Sequence, residues 1–518
     1  MDKLIKKYDS QVQRALETLP GFLTWGALTS PVWLGKIAPL AFVFFLTFLA
    51  VFWVYRALIH TVGVIIGYRK YQAEIKENWL EKCRALDFSQ LPNAGELPKK
   101  FDGVKHILLI PMVNENLDVL KKTFAALAEQ NYPKENILVV AAIEERGAEK
   151  VLPRIEKIKE MYRGQLPEIW TFVHPKGIPG EAIGAAAANR TWGGRRAVEQ
   201  LQENGADLKN YIFSTFDADG VLHPEFLARL TYAYLTTAER NNRFFSTAVF
   251  LFNNNLWQVP VLMRMQANGV TLANLSSWVI EKRHHETFSS YSVPLLTVIE
   301  AGYWDVKLGV DDTPFFWQAF FAKDGHFEGQ PFFVPISQDA VQGENFIKSH
   351  VSQYKQLLRW GWGAMVIPTI VKGFLTHRKV PKLSKLTWAY NKVEQCTIWK
   401  SIVFLITFGF GILGLVNPDI RQKTVVYNLP EVTGLILTFA FLLLIPATFL
   451  RNKIIAKVPA EWPWWRKALS WMEGPMVVVN LLTFSFIPFI DAETRMMFGK
   501  KIELYYTPKV RSEVAAIA

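Results

Sequence analysis

The sequence predicts an α/β domain with a mostly parallel β-sheet and helices on both faces, combined with an α-helical transmembrane region. Two observations predict this combination. Short apolar segments alternate with helix-like segments across residues 100–345, and long apolar runs flank that stretch on both sides. The composition agrees, because 50% of the 518 residues are hydrophobic and only 20% are charged. This apolar content excludes a disordered chain, and a total of 2 cysteines excludes a disulfide scaffold.

The membrane region is predicted from apolar runs at 37–67, 401–416, 431–450 and 470–490. A membrane crossing needs about 20 apolar residues, and tryptophans and tyrosines flank these runs as they do at bilayer interfaces. Buried core helices are the alternative interpretation. We expect four to six membrane helices. The chain is predicted to have an amphipathic interfacial segment at 1–36, a transmembrane helix with an interfacial extension at 37–70, and the C-terminal transmembrane helices at 395–490.

The distribution of basic residues predicts the orientation of the chain. The loop 451–467 carries more Lys and Arg than the loop 417–430, which places 451–467 in the cytoplasm by the positive-inside rule. The middle segment 100–345 and the basic tail 491–518 are then also expected in the cytoplasm. We therefore expect a multi-pass integral protein of the plasma membrane. Its net charge of +12 favours anionic lipids as a partner over nucleic acid, since much of the Lys and Arg flanks membrane segments.

Four strands and two helices are predicted in order within the middle segment. Each predicted strand is a short apolar run, and strand–helix alternation is typical of a parallel sheet. The predicted strands are HILLIP (106–111), ILVVAAI (137–143), EIWTFVH (168–174) and YIFSTF (211–216), with helices at 119–133 and 148–163. Ligands bind at the carboxyl ends of the strands in such sheets, so the residues after each strand are the candidate site.

Acidic side chains follow three of these strands. They are Glu115 after the first strand, Glu144 and Glu145 after the second, and Asp217 and Asp219 after the fourth. Carboxylates that converge at one sheet edge repel one another unless a cation lies between them, and Mg²⁺ or Mn²⁺ is the cation suited to such oxygens. The alternative is that some of these acids cap the following helices. The sequence therefore predicts a divalent cation site that involves Asp217 and Asp219.

Several motifs in order resemble one enzyme family. They are the Asn-Glu after the first strand, the acidic end of the second, Phe-Asp-Ala-Asp-Gly at 216–220, and Gln-x-x-Arg-Trp at 356–360. This series resembles the membrane-integrated family-two inverting glycosyltransferases, which include cellulose-synthase-like and hyaluronan-synthase-like enzymes. The resemblance covers roughly residues 100–375 and the flanking helices. It implies a GT-A catalytic fold, with the Q-x-x-R-W motif and interfacial helices at 346–380.

The resemblance also implies a function and roles for individual residues. The reaction would move a hexose from a UDP- or GDP-sugar to a membrane-associated glycan or a lipid-linked acceptor. Gln356 and Trp360 would contact the acceptor. The expected metal ligands are Asp217 and Asp219, and the residues expected to contact the donor are Glu115, Glu144, Glu145, Asp217 and Arg359.

The general base of the family is the last Asp of an acidic motif that precedes Q-x-x-R-W. Two candidates exist: Asp312, with Asp311 beside it in LGVDDTPFF, and Asp339 in PISQDA. We favour Asp312, because the segments before it resemble the lead-in to the family motif. A sugar hydroxyl needs such a base, whereas a phosphate oxygen is already ionised. The base therefore favours a hydroxyl acceptor over polyprenyl phosphate.

Two departures from the family pattern keep alternatives open. The family often has a Lys before Asp-x-Asp, where this chain has Ala185 or Ala186, and the second strand ends in two Glu residues in place of an Asp pair. The candidate substitutes for the missing cation are Lys176, Arg190, Arg195 and Arg196. The alternative functions are sugar transfer onto polyprenyl phosphate and a catalytically degenerate subunit of a membrane assembly or transporter. Only the missing Lys favours the degenerate subunit.

Overall fold

The computed structural model describes residues 7–182, 186–281, 283–422, 427–474, 476–500 and 502. Ala185, residues 1–6 of the predicted amphipathic segment and residues 503–518 of the predicted basic tail lie outside the described residues. The chain divides into two compact units. We call them the helical unit (Met1–Ile66, Val261–Ile280 and Gln353–Glu503) and the sheet unit (Gly67–Pro260, Glu281–Ser352 and Leu504–Ala518).

The secondary structure alternates between helices and strands in the middle of the chain and is helical toward both ends. The α-helices are α1 (Asp9–Leu28), α2 (Ser30–Ile37), α3 (Pro39–Glu74), α4 (Trp79–Arg84), α5 (Leu117–Ala128), α6 (Glu145–Met161), α7 (Ala186–Glu203), α8 (Phe226–Thr236), α9 (Val261–Ile280), α10 (Leu295–Glu300), α11 (Asp312–Ala322), α12 (Phe346–Gly361), α13 (Ile367–Thr376), α14 (Lys382–Val393), α15 (Trp399–Val416), α16 (Leu429–Leu442), α17 (Leu444–Ile454), α18 (Trp464–Met472), α19 (Val477–Leu482) and α20 (Ile487–Met497). The strands are β1 (Lys105–Met112), β2 (Ile137–Glu144), β3 (Glu168–His174), β4 (Tyr211–Thr215), β5 (Val221–Leu222), β6 (Arg243–Thr247), β7 (Phe250–Leu251), β8 (Tyr291–Pro294), β9 (Glu328–Phe332) and β10 (Ile336–Ser337).

The main sheet of the sheet unit has seven strands in the order β3-β2-β1-β4-β8-β6-β9. Strands β3, β2, β1 and β4 run parallel to one another, and β6 is parallel to β9. Strand β8 runs antiparallel to both β4 and β6. The predicted mostly parallel sheet is therefore confirmed, and β1 to β4 are the four strands expected from the sequence.

Helices cover both faces of this sheet because the strands are apolar on both sides. Leu108 and Ile110 of β1 belong to the core that α5 and α6 complete on one face. On the other face α7 packs closely, and a Cβ added at Gly193 of α7 would lie 2.7 Å from the Cβ of Ala142 in β2. Because β2, β1 and β4 are adjacent and parallel, the residues after these strands meet at one edge of the sheet.

The helical unit contains most of the predicted membrane region, and residues 67–74 of α3 belong to the sheet unit. Within the described part of the chain, four helical stretches are long and apolar enough to span a bilayer: Pro39–Glu74, Lys382–Val416, Glu431–Ile454 and Val477–Met497. Residues 39–67 of the predicted apolar run thus lie in one continuous helix, α3, whereas Ile37 ends α2. Phe42 and Leu46 of α3 pack with Leu405 of α15 in a buried apolar cluster. These features are consistent with a membrane protein.

Candidate active site

Glu115 stabilises the loop that follows β1. Its side chain is buried, and Oε2 accepts hydrogen bonds from the backbone N–H groups of Val113 at 2.7 Å and Asn114 at 3.0 Å. A carboxylate that bonds consecutive amides holds the local chain in one conformation. Glu115 therefore shapes the edge of the sheet after β1, and a contact with the donor stays a prediction.

Glu144 and Glu145 lie where β2 passes into α6. Glu144 pairs with the Nε of Arg146 at 2.6 Å, and Oε2 of Glu145 accepts the backbone N–H of Lys176 at 2.7 Å. Burial raises the pKa of Glu144, and Arg146 opposes that shift. The side chain of Glu144 makes no capping hydrogen bond with α6, so the capping alternative does not explain this residue.

His174 ends β3 beside these two acids in the sheet. Its Nε2 lies 2.9 Å from Oε2 of Glu181, and its ring centroid lies 5.7 Å from that of Trp192 on α7. Residues Glu144 and His174 are register partners in β2 and β3. The imidazole therefore belongs to the same edge of the sheet as the acids that follow β2.

Arg190 of α7 joins the carboxylates from two separate parts of the chain. Its Nη1 contacts Asp311 Oδ2 and also lies 2.9 Å from Asp312 Oδ1, while Nη2 lies 3.4 Å from Asp217 Oδ1. The Arg190 side chain is only 2% exposed. Burial acts to lower the pKa of Arg190, but Asp311, Asp312 and Asp217 together raise it, so the guanidinium stays charged.

Asp312 is the carboxylate whose ionisation is most changed by this environment. Burial, followed by the charge of Asp311, raises the pKa of Asp312 from 3.8 to about 7, although Arg190 opposes the shift. The side chain nevertheless keeps 22% of its surface exposed. A carboxylate that titrates near neutral pH and remains accessible is suited to accept a proton from a bound alcohol.

Ser289 and Thr287 hold Asp312 from the loop before β8. The backbone N–H of Ser289 donates to Asp312 Oδ2 at 3.0 Å, and its Oγ donates to Asp217 Oδ2 at 2.9 Å. The hydroxyl of Thr287 donates to the backbone carbonyl of Asp312 at 2.6 Å. Sequence reasoning missed both residues, because nothing in the sequence separates Ser289 from its neighbour Ser290.

Asp219, the second acid of the Asp-x-Asp motif, is only 2% exposed. Its Oδ2 accepts the backbone N–H of Asp339 at 2.8 Å, and its carbonyl accepts Nδ2 of Asn254 at 2.9 Å. Asp339, the alternative base, follows β10 in a small sheet of the order β5-β10-β7. The structure therefore connects Asp339 through its main chain to Asp219, whereas Asp312 shares partners with Asp217.

The donor chemistry of this edge fits a hard divalent cation. Asp217 and Asp219 offer carboxylate oxygens, and no group of three or more His, Cys, Asp or Glu residues forms a metal cluster in the described residues. Mg²⁺ is commonly held by one or two carboxylates together with substrate phosphates and water. The two aspartates therefore offer oxygens of the kind that such a cation prefers, and a metal role for them stays a prediction.

The candidate substitutes for the missing Lys have different surroundings. Ala186 begins α7, so Arg190 follows about one helical turn later and is buried among the acids. Arg195 lies over the ring of Tyr303 at 5.2 Å, and Arg196 lies over the ring of Trp192 at 4.9 Å. Of these three arginines, Arg190 is the one whose guanidinium contacts the carboxylates of the site.

Gln356, Arg359 and Trp360 belong to α12 in the helical unit. Leu357 is fully buried, whereas these three side chains are only partly buried. Oε1 of Gln356 accepts a hydrogen bond from Nε2 of Gln353 at 3.4 Å. The predicted roles of the three residues in binding donor and acceptor stay predictions.

Comparisons with known proteins identify no family for the chain. No protein-family model matches it, and no curated protein matches it in sequence. Among solved structures, the mannosyltransferase PcManGT from Pyrobaculum calidifontis, in complex with GDP-Man and Mn²⁺, aligns with a TM-score of 0.38 and 12% identity over 76% of this chain and 99% of its own. S. aureus TarS 1-349 in complex with UDP-GlcNAc aligns with a TM-score of 0.35 and 12% identity over 77% and 93%.

Proposed function

We propose that the chain is a metal-dependent, inverting glycosyltransferase with a GT-A-type catalytic domain. It moves a hexose from a UDP- or GDP-sugar to a hydroxyl of a membrane-associated glycan or glycolipid, as polysaccharide synthases do. The proposal is supported by the family-two motif series in the sequence and by the acids at one edge of the sheet. We propose further that the protein crosses the plasma membrane several times and keeps its catalytic domain in the cytoplasm.

One observation carries this proposal. Asp217, from the end of β4, and Asp312, from the start of α11, share both Arg190 and Ser289 as hydrogen-bonding partners. The carboxylate expected beside the leaving diphosphate and the carboxylate expected to take the acceptor proton are therefore neighbours. A single displacement at an anomeric carbon needs these two functions on opposite sides of one atom.

The proposed reaction assigns the proton transfer to Asp312. Its carboxylate accepts the proton of the acceptor hydroxyl while the acceptor oxygen forms a bond to the anomeric carbon of the donor. The bond from that carbon to the diphosphate oxygen breaks, and the anomeric configuration inverts. Arg190 keeps Asp311 and Asp312 in place, and Asp311 helps to hold the pKa of Asp312 near neutrality.

The diphosphate side of the reaction needs positive charge. Asp217 and Asp219 would hold a divalent cation, which would neutralise the charge that grows on the leaving diphosphate. Arg359 would bind the same diphosphate through its planar guanidinium. Gln356 and Trp360 would contact the acceptor sugar. The donor would also contact the acids after β1 and β2, which are Glu115, Glu144 and Glu145.

The base distinguishes this reaction from transfer onto polyprenyl phosphate. A phosphate acceptor is ionised at neutral pH and gives up no proton, so it needs no carboxylate with a raised pKa. Asp312, with a pKa of about 7, therefore favours a hydroxyl acceptor. The degenerate-subunit alternative depended on the missing Lys before Asp-x-Asp. Arg190 supplies a positive charge to Asp217 and Asp311, so the acids have a cationic partner without that Lys.

A donor screen tests the proposal. Full-length protein in nanodiscs is mixed with UDP- and GDP-sugars, Mn²⁺ and membrane glycolipids, and the released nucleoside diphosphate and the glycan product are measured. We expect release with one donor, loss of release on adding EDTA, and a decrease of about 10²- to 10⁴-fold for Asp312→Asn. Asp118→Asn, a change at an exposed acid on α5, should behave as wild type.

The same screen separates the two candidate bases. Asp339→Asn keeps the backbone N–H that binds Asp219, so we expect it to retain most of the activity. Loss of activity in Asp339→Asn with full activity in Asp312→Asn would instead identify Asp339 as the base. Rapid transfer onto polyprenyl phosphate by Asp312→Asn would refute the hydroxyl acceptor. Absence of release with every donor would refute the enzymatic proposal.

A further inference from the structure

Ser289 occupies an unusual backbone conformation at the centre of the candidate site. Its φ is 45°, in the left-handed region that non-glycine residues seldom adopt. In this conformation its N–H donates to Asp312 Oδ2 at 3.0 Å while its Oγ donates to Asp217 Oδ2 at 2.9 Å. Such strain persists where the surrounding structure holds it, and it is concentrated at functional sites. The conformation therefore lets one residue contact both carboxylates.

Ser289 and Arg190 together complete a closed ring with the two acids. Arg190 contacts Asp312 Oδ1 at 2.9 Å and Asp217 Oδ1 at 3.4 Å, so it takes the oxygens that Ser289 does not. Each carboxylate is thus held through both oxygens by the same two partners. Rotation of either carboxylate would break contacts with both partners. The ring therefore sets the distance and the relative orientation of Asp217 and Asp312.

Gln338 determines the direction of the Ser289 hydroxyl. Its Nε2 donates to Ser289 Oγ at 3.1 Å, and the Gln338 side chain is buried. A hydroxyl has a single proton, so an oxygen that accepts from Gln338 is left with its proton pointing at Asp217. The next residue, Asp339, donates its backbone N–H to Asp219 Oδ2 at 2.8 Å. The segment after β10 thus supports both acids of the Asp-x-Asp motif.

We infer that Ser289 is a positioning residue that couples the donor-side carboxylate Asp217 to the proposed base Asp312. This inference rests on the proposed function. The two contacts are chemically separable, because the side chain of Ser289 binds Asp217 and its main chain binds Asp312. Removal of the hydroxyl alone should therefore weaken binding of the metal and nucleotide, and it should leave the ionisation of the base in place.

Ser289→Gly makes this separation. Glycine adopts a positive φ without strain, so the variant keeps the N–H bond to Asp312 and loses only the hydroxyl. We expect calorimetry to show about a 10-fold or greater weakening of the binding of Mn²⁺ with UDP or GDP. The acid limb of the pH–rate profile should stay within about half a unit of wild type, since a shift larger than that would mean a lost interaction at the base.

Two further variants provide a rescue and a matched control. Ser289→Asn should recover part of the affinity, because Asn tolerates the left-handed region and its amide N–H can donate to Asp217. Ser89→Gly removes an exposed serine whose N–H and Oγ both bond Asp87, at 3.0 and 2.7 Å, outside the site. This control repeats the same chemical change, and it should bind the Mn²⁺–nucleotide as wild type does.

Each outcome bears on the inference. Wild-type binding and turnover in Ser289→Gly would overturn it. Equal losses in Ser289→Gly and Ser289→Asn, with a lowered thermal midpoint in both, would show a merely structural turn and would also overturn it. If wild type binds Mn²⁺–nucleotide but transfers sugar to no acceptor, the proposed function fails, while the binding data still decide the role of Ser289. If wild type binds neither nucleotide, both proposals fail.

Discussion

Replacement of Arg190 by Gln should move the pH dependence of the reaction to higher pH. Arg190 is the cation that opposes the raised pKa of Asp312, and its Nη1 lies 2.9 Å from Asp312 Oδ1. The glutamine side chain is polar but uncharged, so the change removes the positive charge. Without that charge the ionised carboxylate is less stable, and the pKa of Asp312 rises further above about 7.

The magnitude follows from the separation of the charges. Two unit charges about 4 Å apart interact by about 4 kcal/mol at an effective dielectric constant of about 20, which corresponds to about 3 pKa units. Partial exposure of Asp312 reduces this value, so we expect a shift of at least about 1 unit. The base must be ionised to accept a proton, so the activity of the variant is low at pH 7 and recovers as the pH rises.

The assay is the initial rate of nucleoside diphosphate release from pH 5.5 to 10 at saturating donor, with the thermal midpoint recorded at each pH. Arg190→Lys keeps a positive charge and should move the acid limb far less than Arg190→Gln does. Arg196→Gln removes an equal charge from the same helix at an exposed pair with Glu199, and it should leave the limb in place. An acid limb that coincides in Arg190→Gln and wild type would refute the electrostatic reasoning.

Two further predictions concern the sheet unit. Gly147→Ala would place a Cβ 1.4 Å from the carbonyl oxygen of Val113, so the loop after β1 must move. We expect a loss of about 1–3 kcal/mol in stability. We also expect weaker binding of Mn²⁺–nucleotide, measured by calorimetry. Glu74→Ala removes a forked pair with Arg229, at 2.8 and 2.9 Å, and leaves a partly buried guanidinium without its carboxylate. We expect a loss of about 1–3 kcal/mol in stability, measured as a lower thermal midpoint.

Matched variants accompany these two predictions. Gly269→Ala, where an added Cβ meets nothing within 4 Å in the interior of α9, should keep wild-type binding and gain about 0.5–1 kcal/mol in stability, because alanine favours a helix over glycine. A similar gain in Gly147→Ala would contradict the steric argument. Glu77→Ala removes an exposed pair with Lys82 and should change stability by about 0.5 kcal/mol or less. A similarly small effect of Glu74→Ala would mean that the pair with Arg229 contributes little.

The positions of the strands could be predicted because their signals are local. β3 was expected at 168–174 and lies at Glu168–His174, and β1 and β2 extend only slightly beyond their predicted ends. A buried strand must be apolar along its whole length, and this requirement is visible in a few consecutive residues. The helix after β1 was predicted to end near residue 133 but ends at Ala128, because the end of a helix depends on weaker local signals.

The site could be predicted only in part. Acids after strands were expected to meet because parallel strands share an edge, and β2, β1 and β4 are indeed neighbours. Ser289 and the position of Arg190 could not be predicted, since Arg190 is 121 residues from Asp311 and Ser289 is 72 residues from Asp217 in the chain. No periodicity or motif reports contacts over such separations.

The α/β alternation, the apolar helices and the set of acids available for chemistry can be read from local stretches of the chain. Hydrophobic periodicity and the need for apolar surface in a membrane both act on neighbouring residues. Which acids share a partner depends instead on the folded arrangement of distant segments. Strand order, the antiparallel insertion of β8 and a left-handed Ser289 bring Asp217 and Asp312 onto one arginine. The ionisation of Asp312 near pH 7 follows from that arrangement, because burial and neighbouring charges shift a pKa only once the chain has folded.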